Sequence, residues 1–292
     1  MTSSTAHGSI RQFAGFLVYA LRTAAVEIEV VPELGAKIIS LKNLRTQREW
    51  LWQPKVKLEL FTNSPRDDFS SSTLVGIDEC LPTIAPCSWR GRQLPDHGEV
   101  WSRPWVVEPT AWQQGILKTS IKLENSPLEF ERTLQLREDD LQFNYKLFNL
   151  AAMEERFIWA IHPLLRLTEG DKLELPASTM ALFNGKVWID AVASATPQNE
   201  CCKAFAHPVR EGRAAIKNNL QGDWLQFSWD PDANNALGLW LTRGGWHGHH
   251  HFAIEPTNAN HDSLATAAGL QCCGVIAGGA SIGWQLSVRV GP

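Results

Sequence analysis

Three short stretches place an ionisable side chain where a loop meets a strand: PDHGEVW with His97, WAIHPLL with His162, and HFAIEPTNA with Glu255. A carboxylate base and an imidazole acid converging from separate strands would suffice for proton transfers at the anomeric centre of a sugar. Each residue also has an ordinary reading, His162 as a satisfied histidine in an apolar strand and Glu255 as a solvated strand end. The stretch from Gly76 to Trp105, GIDECLPTIAPCSWRGRQLPDHGEVWSRPW, adds Asp78, Glu79, Asp96, Glu99 and Arg103 among Trp89, Trp101 and Trp105. Its prolines and glycines predict a long structured loop, neither strand nor helix. Carboxylates, a histidine and an arginine among flat apolar rings suit a pocket for a small uncharged polyol.

Within that loop Asp78, Glu79 and Asp96 are candidates for hydroxyl contacts or for orienting the histidines, and Arg103 for meeting a charged substituent. For Glu79 and Arg103 a loop-stabilising ion pair is the alternative. Trp101 and Trp246 are the candidate pocket rings, with ordinary core packing as the alternative. A rival arrangement lies in GWHGHHHF, where His247, His249 and His251 alternate and Glu255 follows on the same parity, a spacing that a metal could use. A third possibility, a non-catalytic sugar sensor, would use the same tryptophans.

The elements that must position these groups read as strands. Val26, Ile28 and Val30 alternate with Glu27 and Glu29, and after the Pro32–Gly35 turn a second strand follows in AKIISLKN. GILKTSIKLE, LEFERTLQL and DLQFNYKLFNL succeed one another with tight turns; ERFIWAIHPLLRL is extended, with Pro163 marking a strand edge or bulge. WLQFSWD, ALGLWLTRGG, HHHFAIEPT and SIGWQLSVRV complete the series, and Asn184-Gly185 signals a hairpin turn. On its strand Glu255 shares parity with His249, His251 and Ala253, opposite Phe252 and Ile254, so it should point away from the core those two enter. Arg132 breaks the pattern, because it falls on the face of Leu128, Phe130, Leu134 and Leu136; a buried ion pair and a pocket-lining role are both open to it. Sustained helical periodicity is absent, and one-sided alternation with short turns predicts an all-β fold, a large antiparallel sandwich. Residues 13–292 read as a single domain behind a polar tail, 1–12.

The 292 residues are enough for one large all-β domain. With 27 basic against 31 acidic residues and a net charge of -4, the chain has no basic excess for nucleic acid or an anionic membrane. The partner expected is therefore small or neutral. Cys201/Cys202 and Cys272/Cys273 are neighbours and no pair has zinc-finger spacing, so the cysteines read as reduced thiols of a cytoplasmic protein. The run FAGFLVYAL is too short and lacks the cleavage site of a signal peptide.

Several stretches in order, VPELGAKIISLKN, PDHGEVWSRPW, WAIHP, LGLWLTRGGW and FAIEPTNANHDSLATA, resemble those of the galactose mutarotase-like proteins, the aldose 1-epimerase superfamily. The resemblance runs from about Phe13 to the end of the chain. It implies a β-supersandwich that binds a hexose or hexose phosphate on a concave sheet face, without metal or organic cofactor. It further implies that His97 binds sugar hydroxyls, His162 serves as general acid and Glu255 as general base. Two departures stand out: ECLPTIAPC has no arginine where the best-known members carry an Asn-Arg motif, and His162 is followed by Pro163-Leu164 instead of an aromatic residue and asparagine. For a phosphate, Arg90, Arg92 and Arg103 are a thin basic cluster.

Overall fold

The computed structural model describes residues 6–55, 57–183 and 199–292; the turn expected at Asn184-Gly185 lies outside them. One antiparallel sheet of nine strands runs in the order β1 (His7–Phe13), β2 (Phe16–Arg22), β3 (Val26–Val31), β4 (Lys37–Asn43), β5 (Ile77–Cys80), β13 (Ala160–Pro163), β19 (His250–Thr257), β18 (Ala236–Arg243) and β15 (Glu200–Ala206). A second, of eight, runs β14 (Asp171–Glu174), β16 (Arg213–Asn218), β17 (Asp223–Trp229), β21 (Ser281–Gly291), β11 (Asp140–Asn149), β10 (Leu128–Arg137), β9 (Leu117–Lys122) and β8 (Val106–Val107). Two small two-stranded antiparallel sheets stand apart, β6 (Cys87–Trp89) with β7 (Arg92–Leu94) and β12 (Glu155–Phe157) with β20 (Gly274–Ile276). The helices are short: α1 (Pro109–Trp112), α2 (Ala177–Leu182) and α3 (Leu264–Gly269).

Alternation decides which face each strand buries. Ile28, Ile38, Ile161, Phe252 and Ile254 from the nine-stranded sheet and Phe130, Leu134, Phe143, Phe227 and Leu286 from the other belong to one buried cluster. The product is the expected antiparallel β-supersandwich. Arg132, fully buried, takes the ion-pair option: its Nη1 is 3.0 Å from Glu79 Oε1. The same carboxylate accepts from Tyr145 Oη at 2.9 Å and Trp159 Nε1 at 2.8 Å, so no lone charge is left in the core. This network joins β5 of one sheet to β10 and β11 of the other.

Three local expectations change. The stretch from Gly76 to Trp105 is not all loop, because Ile77–Cys80 is a fully buried inner strand. Its charges disguise it: Asp78 pairs with Lys37 and Glu79 with Arg132, and compensated charge is what allows acidic residues inside a sheet. His7–Phe13, within and just past the segment read as a polar tail, is an edge strand that pairs with β2 and is mostly exposed. ERFIWAIHPLLRL splits into β12 and β13, which join different sheets. Pro163 ends β13, which is an inner strand, so the missing N–H costs the ladder least there.

Candidate active site

On the face of the nine-stranded sheet turned away from the sandwich core, β13, β19, β18 and β15 bring His162, Glu255 and Lys203 together. The parity argument holds for Glu255: Phe252 and Ile254 enter the core, and the carboxylate takes the opposite face with His251. That face is covered, leaving Glu255 only 1% exposed. Gly238, its register partner on β18, makes the room. A Cβ there would lie 2.9 Å from Glu255 Oε2 and 3.2 Å from the Phe205 ring, closer than side-chain carbons tolerate.

Both carboxylate oxygens of Glu255 are engaged. His162 donates from Nδ1 to Oε1 at 2.8 Å, and Lys203 Nζ lies 3.2 Å from Oε2. Lys203 also reaches Asp262 Oδ1, at 2.7 Å, forming a chain His162–Glu255–Lys203–Asp262. Burial alone would raise the Glu255 pKa; the Lys203 ammonium and then His162 outweigh it and hold the carboxyl down at about 2. Burial would lower Lys203, but Glu255 and Asp262 raise it above the ordinary lysine range. Glu255 is therefore ionised and Lys203 cationic throughout the neutral range. With Nδ1 committed to the carboxylate, Nε2 of His162 has no hydrogen-bond partner among the described residues.

A second histidine–carboxylate pair is carried by the loops. Asp96 Oδ1 accepts from His97 Nδ1 at 3.0 Å, while Oδ2 accepts the Phe69 backbone N–H at 2.9 Å. Phe69 starts a single helical turn capped by the Asp68 side chain, and its ring stacks on His97 with centroids 4.0 Å apart. The His97 ring lies 5.3 Å from that of His162, with the Phe69 ring 5.4 Å from the latter. His97 has φ +55, and Gly98 packs so tightly that a Cβ would meet Leu81 O at 2.1 Å, which accounts for the histidine-glycine pair. Burial lowers the His97 pKa against the pull of Asp96, with His162 adding to the lowering. Asp96 is lowered too, because the His97 hydrogen bond and charge overcome its burial.

These groups wall a cavity of about 200 Å³, whose lining includes Phe69, His97, His162, Lys203, Trp246 and His251. Its size is below the roughly 300–1,000 Å³ of drug-sized ligand sites. Apolar ring faces, imidazoles and one ammonium give it surfaces for C–H groups and donors for oxygens.

Of the residues expected at the site, His97, His162, Asp96 and Trp246 line this cavity, and Glu255 lies immediately behind His162 and Lys203. Asp78 and Glu79 do not: both are fully buried, the first bonded to Lys37 and the second to Arg132. Arg103 is engaged elsewhere, with Glu124 Oε1 at 2.7 Å and Lys122 O at 3.1 Å. Trp101 stands behind the cavity wall, edge-on to Phe69, donating its indole N–H to Asp96 O at 2.8 Å. The histidine run packs around the Trp246 ring: His247 sits exposed in a turn, His249 also lies edge-on to Trp52, and His251 is buried and bonded to Trp240. Among the described residues no group of three or more His, Cys, Asp or Glu side chains is placed to hold a metal ion. None of the described helices is long and apolar enough to cross a membrane.

Lys203, Asp262, Phe69 and Trp240 escaped the sequence reading. Lys203 lies in ECCKAFA, a strand without clean alternation, and Phe69 in a polar loop. Asp262 and Trp240 did have a signal, lying within the stretches FAIEPTNANHDSLATA and LGLWLTRGGW.

No protein-family model matches the sequence, and no curated protein matches it. Solved structures do match the fold. A protein from Synechocystis sp. PCC 6803 aligns with TM-score 0.74 at 18% identity, covering 96% of this chain and 98% of its own. A candidate aldose 1-epimerase from Klebsiella pneumoniae gives TM-score 0.76 at 15% identity, covering 96% and 81%. A galactose mutarotase-like protein from Clostridium acetobutylicum gives 0.73 at 12%, covering 98% and 99%. At these identities the likeness establishes the fold.

Proposed function

We propose that this chain, which has the galactose mutarotase-like fold, is an aldose 1-epimerase acting on an unphosphorylated sugar. The observation that carries the reading is the 2.8 Å hydrogen bond from His162 Nδ1 to Glu255 Oε1 at the wall of a cavity of about 200 Å³. Glu255, ionised, takes the proton of the C1 hydroxyl, and His162, protonated, delivers its Nε2 proton to the ring oxygen. The C1–O5 bond breaks to give the open-chain aldehyde. After rotation about C1–C2, the O5 hydroxyl attacks the other face of C1, returning its proton to His162 while Glu255 returns the other to O1. Each positioned proton transfer contributes on the order of 10²- to 10⁴-fold.

Both oxygens of Glu255 already accept one hydrogen bond, yet each keeps a lone pair for the C1 hydroxyl. The substrate must therefore reach the carboxylate between His162 and Lys203, the two groups in front of it. His97, fixed by Asp96, offers its other ring nitrogen to sugar hydroxyls, and Trp246 offers a ring face. Three carboxylates, Asp96, Glu255 and Asp262, face one ammonium, Lys203. A phosphate dianion would meet net negative charge there, which favours a neutral sugar.

The test is anomer exchange by NMR saturation transfer over free and 6-phosphorylated hexoses, with Glu255→Gln as control. Acceleration for a free hexose that vanishes in Glu255→Gln supports the reading. Binding of a sugar without accelerated exchange would instead identify a sugar-binding protein.

A further inference from the structure

His251 has a role in the cavity that proton transfer does not use. Trp240, on the neighbouring strand, directs its indole Nε1–H at His251 Nε2 across 3.1 Å. An indole nitrogen only donates, so Nε2 must be the acceptor and the single proton of the neutral ring belongs on Nδ1. Protonating both nitrogens would set two N–H groups against each other; burial, and then the neighbouring His162 and His249, also hold the His251 pKa well below the ordinary histidine value. The tautomer is therefore fixed by structure. The Nδ1–H that results is buried without a hydrogen-bond partner, in a side chain only 1% exposed that borders the cavity.

A buried donor without a partner is a standing cost, removed when a ligand brings an acceptor. The nearby carboxylates are already engaged: Asp96 with His97 and Phe69, Glu255 with His162 and Lys203, and Asp262 with Lys203. We infer that His251 Nδ1–H is a specificity-determining donor that hydrogen-bonds one oxygen of the bound sugar. This rests on the cavity taking a sugar, though not on the sugar reacting there. A sugar lacking that oxygen would leave the donor buried and unpaired, which is how a polar site rejects a deoxy analogue.

Two substitutions separate the ring's halves. His251→Gln puts an amide oxygen near Nε2, keeping an acceptor for Trp240 while deleting the Nδ1 donor; His251→Asn puts an amide nitrogen near Nδ1, keeping the donor. The measurement is the dissociation constant, by NMR titration, of a free hexose and its monodeoxy derivatives for each protein, with the ¹⁵N shifts of His251 followed in the wild type. The expected result is a proton on Nδ1, a Nδ1 shift on sugar binding, and a weakening by about 5- to 140-fold in His251→Gln. That range is the roughly 1–3 kcal/mol of one buried donor at 1.4 kcal/mol per tenfold. His251→Asn should lose less, and one monodeoxy sugar should bind wild type and His251→Gln alike.

Equal losses for parent and every deoxy sugar, unchanged affinity in His251→Gln, or a proton on Nε2 would each overturn the inference, as would failure of the wild type to bind any of the sugars. Anomer exchange separates the two readings. Exchange without the deoxy pattern removes His251 alone, whereas the deoxy pattern without exchange removes the epimerase and leaves the donor.

Discussion

Replacing Lys203 by methionine tests how the site keeps Glu255 ionised. The substitution removes a charge 3.2 Å from Glu255 Oε2 and 2.7 Å from Asp262 Oδ1 while retaining most of the aliphatic stem. At an effective dielectric of about 20, two unit charges at that first distance attract by roughly 5 kcal/mol, an upper bound because Asp262 shares the ammonium and the Lys203 side chain is 20% exposed. Taking about 3 to 4 kcal/mol as realised, at 1.36 kcal/mol per pKa unit, the Glu255 carboxyl should rise by roughly two to three units. It would move from about 2 to the ordinary carboxylate value of 4.5 or somewhat above, since burial is then opposed only by His162.

The assay is the pH dependence of kcat/KM for anomer exchange, from pH 3.5 to 8. Wild type should show no acid limb from Glu255 in this range. Lys203→Met should lose activity below about pH 5, while at pH 7, where its carboxylate is still ionised, it stays within about tenfold of wild type. Lys203→Arg keeps the charge and should keep the wild-type acid side. A folded Lys203→Met that, like wild type, shows no acid limb down to pH 3.5 would refute the assignment of the ammonium as the group that holds Glu255 ionised.

Other outcomes follow from named contacts. Stability should share the Glu255 dependence: the carboxyl is depressed in the folded state, so the stabilisation, about 3 kcal/mol for a shift from 4.5 to about 2, is complete above pH 4.5 and is lost as pH falls toward 2. Urea unfolding between pH 3 and 6, with Glu255→Gln as reference, reads it as a difference that narrows on the acid side. Gly238→Ala places a methyl 2.9 Å from Glu255 Oε2, and should lower exchange by at least about tenfold while costing about 1–3 kcal/mol in stability; full activity in a folded variant would contradict the packing. Arg132→Met leaves Glu79 buried without its cation, and should cost about 3–5 kcal/mol in denaturant unfolding with no change in the pH profile of exchange. Were that profile to move instead, Arg132 would have to be coupled to the cavity.

How far the sequence carries depends on whether a signal is local. Alternation along Leu141–Leu147 or Ile282–Val290 is local, because a strand with one face buried repeats every second residue, and those strands stand where the pattern puts them. The same parity turns Glu255 away from Phe252 and Ile254. It is silent about what covers the other face, so a carboxylate that could equally have been a solvated strand end is in fact 1% exposed. The cover comes from chain distant in sequence: Phe69 beside His97, and Lys203 from the edge strand β15. Ile77–Cys80 shows the opposite failure, where charge itself misleads. Asp78 and Glu79 are acidic enough to suggest a loop or a sugar contact, yet each is neutralised by a residue, Lys37 or Arg132, that only the sheet pairing and sandwich packing bring near. Arg132 had announced its half of that pair by standing on an apolar face; its partner had no such marker, because an acid beside another acid in a Gly- and Pro-rich stretch looks the same whether its cation is solvent, sugar or core. The identity of a charged group can be read from sequence, but its task is set by the partner that folding supplies.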